Sequence, residues 1–401
     1  MSSESSGQVI ALSTNCCWNA FNFRKNLMFA LQDAGYKVVV LAPRDSYTQQ
    51  LLDIGVEWVD ITMQAKGRNP VNDLATFAAY YKALAKLRPA FYLGFTIKPN
   101  VYGSLACAAL GIATINNIAG LGTLFDRDNL FKTLATHLYK FALRRSHQVF
   151  FQNSVDESYF QAQRILRGTP TAVLPGSGVD TTLFRPRSAP GTPADAAAPA
   201  AFRFIMSSRL LWAKGVAEYI EAARQMKPLY THVEWHLMGF CGDSRESVSL
   251  AQVEAWESEG LIRYLGVSDR VQDVLPTYDC FVLPSYYNEG TPRSLLEAAA
   301  CGLPIITTDW TGCRDVVLDQ VTGLLCQPRK TGDLISKMRD LLALPPALRS
   351  GMGMAARTRA IEHFSDDQVI ARYFAAMALG KPPSPKPVVT RNGDRDVGQI
   401  G

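Results

Sequence analysis

The sequence predicts an α/β protein made of two doubly wound, parallel-sheet domains that face each other across a cleft. Three observations predict it. Short apolar runs rich in β-branched and aromatic residues alternate with amphipathic helical stretches, the pattern left by βαβ units whose helices cover both faces of a parallel sheet. The alternation stops at SAPGTPADAAAPAA (188–201) and then restarts. The 401 residues are enough for two cores of roughly 150–200 residues each.

In the first half the strand-like runs are QVIALS (8–13), YKVVVLA (36–42), AFYLGF (90–95), ATINNIA (113–119) and HQVFFQN (147–153). In the second they are FRFIMSS (202–208), EWHLMG (234–239), CFVLPS (280–285) and PIITTD (304–309). The Pro/Ala/Gly segment has too few large apolar groups to pack, so it reads as a linker or surface insertion. The expected division is 1–186 for the first domain, 187–201 for the linker, 202–375 for the second domain and 376–401 for a disordered tail rich in Pro, charge and Gly.

Composition narrows the function classes. Residues 1–185 carry a net +6 and the remainder −1, a bias suited to an anionic surface or phosphorylated acceptor but too scattered for nucleic acid. The eight cysteines form no CxxC or His-Cys cluster, and MSSESSGQ is no basic-then-apolar leader. Buried thiols in a cytoplasmic protein are therefore expected. The uncharged stretch from Pro99 to Phe125 is broken by Gly103, Gly111, Asn116, Asn117, Gly120 and Gly122, which argues against a membrane span.

Parallel sheets bind ligands beyond the carboxyl ends of their strands, so the informative residues are those just after each run. Arg209-Leu-Leu-Trp-Ala-Lys214-Gly215 follows FRFIMSS and precedes the helical run VAEYIEAARQM. Two cations at a strand-to-helix turn can clamp a diphosphate, with the helix's free amides behind them. Glu289-Gly290-Thr291-Pro292-Arg293-Ser294-Leu-Leu-Glu297 follows CFVLPS. Here Thr291 is expected as helix N-cap, Pro292 at the first helical position and Gly302 just past the end. A carboxylate suits a sugar or ribose because it accepts hydroxyl hydrogen bonds without donating any. Taken singly, the basic turn reads equally well as a solvated surface, and each Glu as a surface acid.

Together these motifs resemble family 4 glycosyltransferases of the GT-B fold. The resemblance rests on R-x-L-x-x-K-G, two Glu with seven residues between them within EG-x-P-x-S-L-L-E-A-x-A-C-G, the His236-Leu-Met-Gly239 strand end between the two motifs and the trailing Leu303-Pro304-Ile-Ile-Thr-Thr. It spans about residues 8 to 375. It implies a retaining, metal-independent transfer of a hexose or N-acetylhexosamine from a nucleotide diphosphate sugar, UDP-linked in many relatives. Arg209 and Lys214 would hold the diphosphate, Glu289 the transferred sugar and Glu297 the ribose, with Gly239, Gly290, Thr291, Arg293 and Ser294 completing the donor site. Many relatives have EGFG where this chain has Glu289-Gly290-Thr291-Pro292. Pro292 has no N–H, so the phosphate-binding amides must come from its neighbours. No cofactor is implied beyond the sugar nucleotide as co-substrate.

The first half resembles the subgroup that builds bacterial surface polysaccharides, lipopolysaccharide and protein glycans on polyprenyl diphosphate. Its candidate acceptor-side residues are Asn22, Arg24, Lys98, Asn100, Gly120 and Gly122; turn closure and surface charge pairing are the alternative. Several family members place a His in this domain near the transferred sugar, whereas the loop at Gly120-Leu121-Gly122 has none, so close backbone approach by glycine is expected instead. The basic amphipathic stretch 129–145, with Lys132, Lys140, Arg144 and Arg145, suggests either core packing with a wet face or a contact with an anionic membrane. That would make the protein peripheral on the inner face of the cell membrane. Asp126-Arg-Asp128 mimics a metal-binding DxD but reads as coincidence. The competing readings are a UDP-sugar 2-epimerase of related fold, a non-catalytic sugar-nucleotide-binding protein, and a dinucleotide-dependent oxidoreductase. The last is disfavoured because no GxGxxG follows the first strand.

Overall fold

The computed structural model describes residues 7–63, 70–121, 130–166, 168–187, 201–380 and 382–383. Thirteen strands are found among them. Seven form the first sheet: β1 (Val9–Ser13), β2 (Lys37–Ala42), β3 (Glu57–Asp60), β4 (Phe91–Phe95), β5 (Ala113–Ile118), β6 (Gln148–Phe151) and β7 (Thr171–Val173), in the order β3-β2-β1-β4-β5-β6-β7. Six form the second: β8 (Phe202–Ser207), β9 (Val233–Met238), β10 (Arg263–Tyr264), β11 (Cys280–Leu283), β12 (Ile305–Thr308) and β13 (Gly323–Cys326), in the order β10-β9-β8-β11-β12-β13. All pairings are parallel. The predicted runs fall on the central strands, which are nearly continuous apolar sequence because helices cover both faces.

Each sheet changes direction once, between β1 and β4 in the first and between β8 and β11 in the second. Crevices open at these switch points, beyond the strands' carboxyl ends, where open α/β sheets take their ligands. The second core is one cluster built around Phe204, Trp235, Phe281 and Leu295. The first sheet has separate clusters on its two faces.

One boundary differs from expectation. The helix Asp366–Ala376 does not stay with the second domain. Val369, Ile370, Tyr373 and Phe374 pack with Leu12, Phe95 and Phe150 of the first sheet. The chain crosses back just before it, where Val179 N–H donates to Phe364 O at 2.9 Å and Asp366 N–H to Val179 O at 3.0 Å. By packing, the second domain ends near 364 rather than 375.

All eight cysteines are free thiols. Among the described residues no helix is long and apolar enough to cross a membrane. The stretch from Pro99 instead forms the helical turns Pro99–Gly103 and Ser104–Leu110 and then β5.

Candidate active site

The two motifs of the second half flank its switch point, since Arg209 and Lys214 follow β8 and Glu289 follows β11. Backbone contacts join their loops. Tyr286 N–H donates to Ala213 O at 2.8 Å. Gly215 (φ 82°) ends the single 3-10 turn Trp212–Lys214, and a Cβ there would lie 2.2 Å from Pro284 O. Only glycine allows that approach without moving the chain.

Lys214 is buried and its Nζ donates to Glu289 Oε1; the ammonium also lies 5.5 Å from the centre of the Tyr287 ring. Arg209 is exposed at the strand end, beside the Tyr287 hydroxyl, whose pKa is raised by burial and partly restored by Arg209. A cation pair and a carboxylate are thus gathered around one tyrosine, a residue the sequence reading passed over. At the neighbouring strand end, Gly239 N–H donates to Gly266 O at 2.9 Å and its carbonyl accepts from the Tyr264 hydroxyl at 2.8 Å.

The loop after Glu289 departs from expectation at three points. Pro292, not Thr291, is the N-cap, and the helix runs Arg293–Ala300. The Thr291 hydroxyl instead donates to Gln152 O at 3.1 Å, across to the first domain. Gly290 N–H donates to Ala119 O at 3.0 Å, which removes it from the amides free to bind phosphate. Those of Arg293 and Ser294, in the first turn, have no intrahelical acceptor. Glu297 is 16 % exposed, and Arg293 Nε donates to its Oε1 at 3.1 Å. Burial raises the Glu297 pKa against the pull of Arg293, and nearby Asp366 raises it further.

The first domain closes on this loop. Gly120 (φ 116°) comes so close that a Cβ on it would lie 2.5 Å from Gly290 N and 2.7 Å from Glu289 Cα. A pocket of about 220 Å³ remains between the domains, bounded by Asn288, Glu289 and Thr311 on one side and by Leu121, Asp156 and Tyr159 on the other. At the far end of the cleft the Tyr47 hydroxyl donates to Asp269 Oδ1 at 2.6 Å.

The remaining acceptor-side candidates divide. Arg24 is buried on the Phe95 ring, 4.2 Å from its centre, with no partner for Nε among the described residues; its guanidinium is repelled by Arg293 and attracted by Asp366. Asn22 Nδ2 donates to Trp18 O at 3.0 Å beside Tyr47. Lys98 Nζ pairs with Asp73 Oδ1 at 2.8 Å. Asn100 is a correction. Asn100 is fully buried, donating to Asn117 O and accepting from Asn116 Nδ2, so it is a satisfied structural amide that faces no ligand. Gly122, Asp126 and Asp128 lie outside the described residues. Thr96, one turn before Asn100, has φ 68° and a buried hydroxyl without a partner among the described residues, a strained backbone for a β-branched residue at a strand end.

Two doubly wound domains closing on a cation-and-carboxylate cluster at a switch point define a GT-B glycosyltransferase. Sequence comparison agrees. Residues 196–359 match the family described as glycosyl transferases group 1, and residues 18–153 match that described as glycosyl transferase 4-like. The chain belongs to these glycosyltransferases. It is 29 % identical over 367 residues, 88 % of this chain and 94 % of the relative, to the N,N'-diacetylbacillosaminyl-diphospho-undecaprenol α-1,3-N-acetylgalactosaminyltransferase of Campylobacter jejuni. Among solved structures it resembles Anabaena HepE in complex with UDP-glucose (TM-score 0.74, 18 % identity, covering 92 % of this chain and 99 % of that one). It also resembles a glycosyltransferase of Rickettsia africae (TM-score 0.73, 16 % identity, 92 % and 98 % covered). These two show the fold. The epimerase alternative finds no support in the comparisons.

Proposed function

We propose that the protein transfers a hexose or N-acetylhexosamine from a UDP-sugar to a sugar carried on polyprenyl diphosphate, with retention of configuration and without a metal ion. One observation carries this reading: Arg209, Lys214 and Glu289 converge at the β8/β11 switch point, facing Gly120 of the first domain. The Campylobacter relative, named for such a lipid-linked acceptor, supports the acceptor class.

Arg209 and Lys214 hold the diphosphate with the first-turn amides of the helix Arg293–Ala300. Glu289 takes hydroxyls of the transferred sugar, released from Lys214 as phosphate engages the ammonium. Glu297 takes the ribose. The bond from the anomeric carbon to the diphosphate oxygen breaks with its electron pair going to the phosphate. The acceptor hydroxyl attacks from that same face, and its proton passes to the departing diphosphate. Preorganised donors at developing charge are commonly worth about 3–4 kcal/mol each, and two fixed cations do the work of a divalent ion.

The helix Leu130–Ala142 and the turn Leu143–Arg145 carry the membrane reading. Leu134 and Phe141, seven residues apart on one face, are exposed, and Arg144 lies over the Phe141 ring at 4.7 Å. Lys132 turns instead to the Tyr159 ring and the pocket, which leaves Lys140, Arg144 and Arg145 as the basic contribution to a peripheral contact. The test is UDP release from a UDP-sugar panel in the presence of a polyprenyl-diphosphate-linked sugar and EDTA. Acceptor-dependent release supports the reading, and release only after manganese is added contradicts it.

A further inference from the structure

The pocket between the domains has a second acid, one that the donor-site reading leaves without a role. Asp156 is 8 % exposed in the first turn of the helix Ser154–Ala162, which follows β6. It faces the pocket from the first domain as Glu289 does from the second. Part of its environment is ordinary capping. Asn153 Oδ1 accepts from Asp156 N–H at 2.7 Å, and Asn153 Nδ2 donates to Asp156 Oδ2 at 2.9 Å. Capping uses only one carboxylate oxygen. Among the described residues Oδ1 has no hydrogen-bond partner and the side chain makes no ion pair.

The residue is buried but this oxygen stays open to the pocket, so the carboxylate presents an uncommitted acceptor to whatever enters it. The pocket's volume of about 220 Å³ is below the range for drug-sized ligands, and its walls are mixed: Asp156 and Glu289 are acidic, Thr311 carries a hydroxyl, and the Tyr159 ring and Leu121 are apolar. Such walls suit a single pyranose ring, with hydroxyls around its edge and C–H groups on its faces.

We propose that Asp156 recognises the acceptor: its free oxygen accepts hydroxyl hydrogen bonds from the acceptor's terminal sugar, seated between Asp156 and Glu289. This rests on the reading above that the acceptor is a sugar. The transferred unit reaches Glu289 from the donor side, and the receiving ring approaches it through the first domain. Burial pushes the Asp156 carboxyl up to about 6, so the acceptor-binding form is lost as pH falls through that value. Among the described residues, Glu289 and Lys132 are the other charged groups facing the pocket.

The experiment compares wild type with Asp156→Asn, which keeps an oxygen for Asn153 Nδ2 and so preserves the cap. A UDP-N-acetylhexosamine is the donor, and acceptors are taken from a panel of polyprenyl-diphosphate-linked sugars that includes N,N'-diacetylbacillosaminyl-diphospho-undecaprenol. On the best wild-type acceptor, the variant should raise acceptor KM at least tenfold, change kcat less than threefold, leave UDP Kd unchanged and, because it removes a buried charge, melt no lower than wild type. Wild-type acceptor KM should climb below pH 6, and the variant's should stay flat. An unchanged acceptor KM overturns the proposal, as does a rise matched by equal losses in UDP affinity and Tm, because that is a purely structural role. A wild type that binds UDP but uses no sugar acceptor overturns the underlying reading instead.

Discussion

Replacing Gly120 by Ala tests the contact on which the closed site depends. A Cβ at this position lies 2.5 Å from Gly290 N, whereas ordinary van der Waals contact begins near 3.4 Å, so the loop carrying Glu289 must retreat by about 0.9 Å. The φ of 116° adds strain for any residue with a Cβ, and the retreat stretches the 3.0 Å bond from Gly290 N–H to Ala119 O, worth about 0.5–1.5 kcal/mol. Misplacing a catalytic group by about 1 Å can cost about 100-fold in rate, equivalent to about 2.7 kcal/mol of barrier. The assay is steady-state transfer alongside UDP titration and thermal melting. Turnover should fall about 100-fold, while UDP, held by the second domain, binds within a few-fold of wild type. If Gly120→Ala turns over within threefold of wild type, the close approach is not part of the working site.

Three further outcomes follow from the same geometry. Glu297→Ala should weaken UDP binding, because a ribose contact persists through the reaction, whereas Glu289→Ala should mainly lower kcat; equal small effects would remove the assignment. Burial raises the Asp366 carboxyl to about 6, above its unfolded value of about 3.9, so the folded state binds that proton more tightly and stability is lost as pH rises through 6. Asp366→Asn should therefore raise Tm at pH 7.5, by an amount reflecting about 1–3 kcal/mol, and the gain should vanish near pH 4; a gain independent of pH refutes it. The protein should pellet with anionic liposomes at low salt and be released near 0.5 M salt, where the Debye length is about 4 Å. Changing Lys140, Arg144 and Arg145 to Gln should abolish pelleting, at about 1 kcal/mol per charge, and spare UDP binding, whereas a triple variant that still pellets shows the helix does not hold the bilayer by charge.

The central strands were legible because parallel strands covered on both faces leave apolar runs such as KVVVLA and CFVL. The edge strands were not. β3 (EWVD) and β10 (RY) are short and half exposed, so neither burial nor length marks them. The return of Asp366–Ala376 to the first domain was also hidden, because an apolar helix face does not say which of two similar cores it will cover. In the candidate site, Arg209, Lys214, Glu289 and Glu297 stood out because a fixed strand-loop-helix spacing marks them, and Lys214 and Glu289 do meet, while the roles given to the four are a proposal. Asn100 misled because a strand end supplies structural amides as readily as ligands. Asp156 gave no signal, since NSVD before a helix reads as an ordinary cap.

The most direct test of the central claim is the anomeric configuration of the product. With a UDP-α-sugar, a polyprenyl-diphosphate-linked sugar and EDTA present, NMR of the isolated product should show the new linkage as α. It should form at a rate unchanged by chelator and fall sharply in Arg209→Ala. A β linkage, or synthesis that requires a divalent ion, would contradict a front-face transfer driven by Arg209 and Lys214.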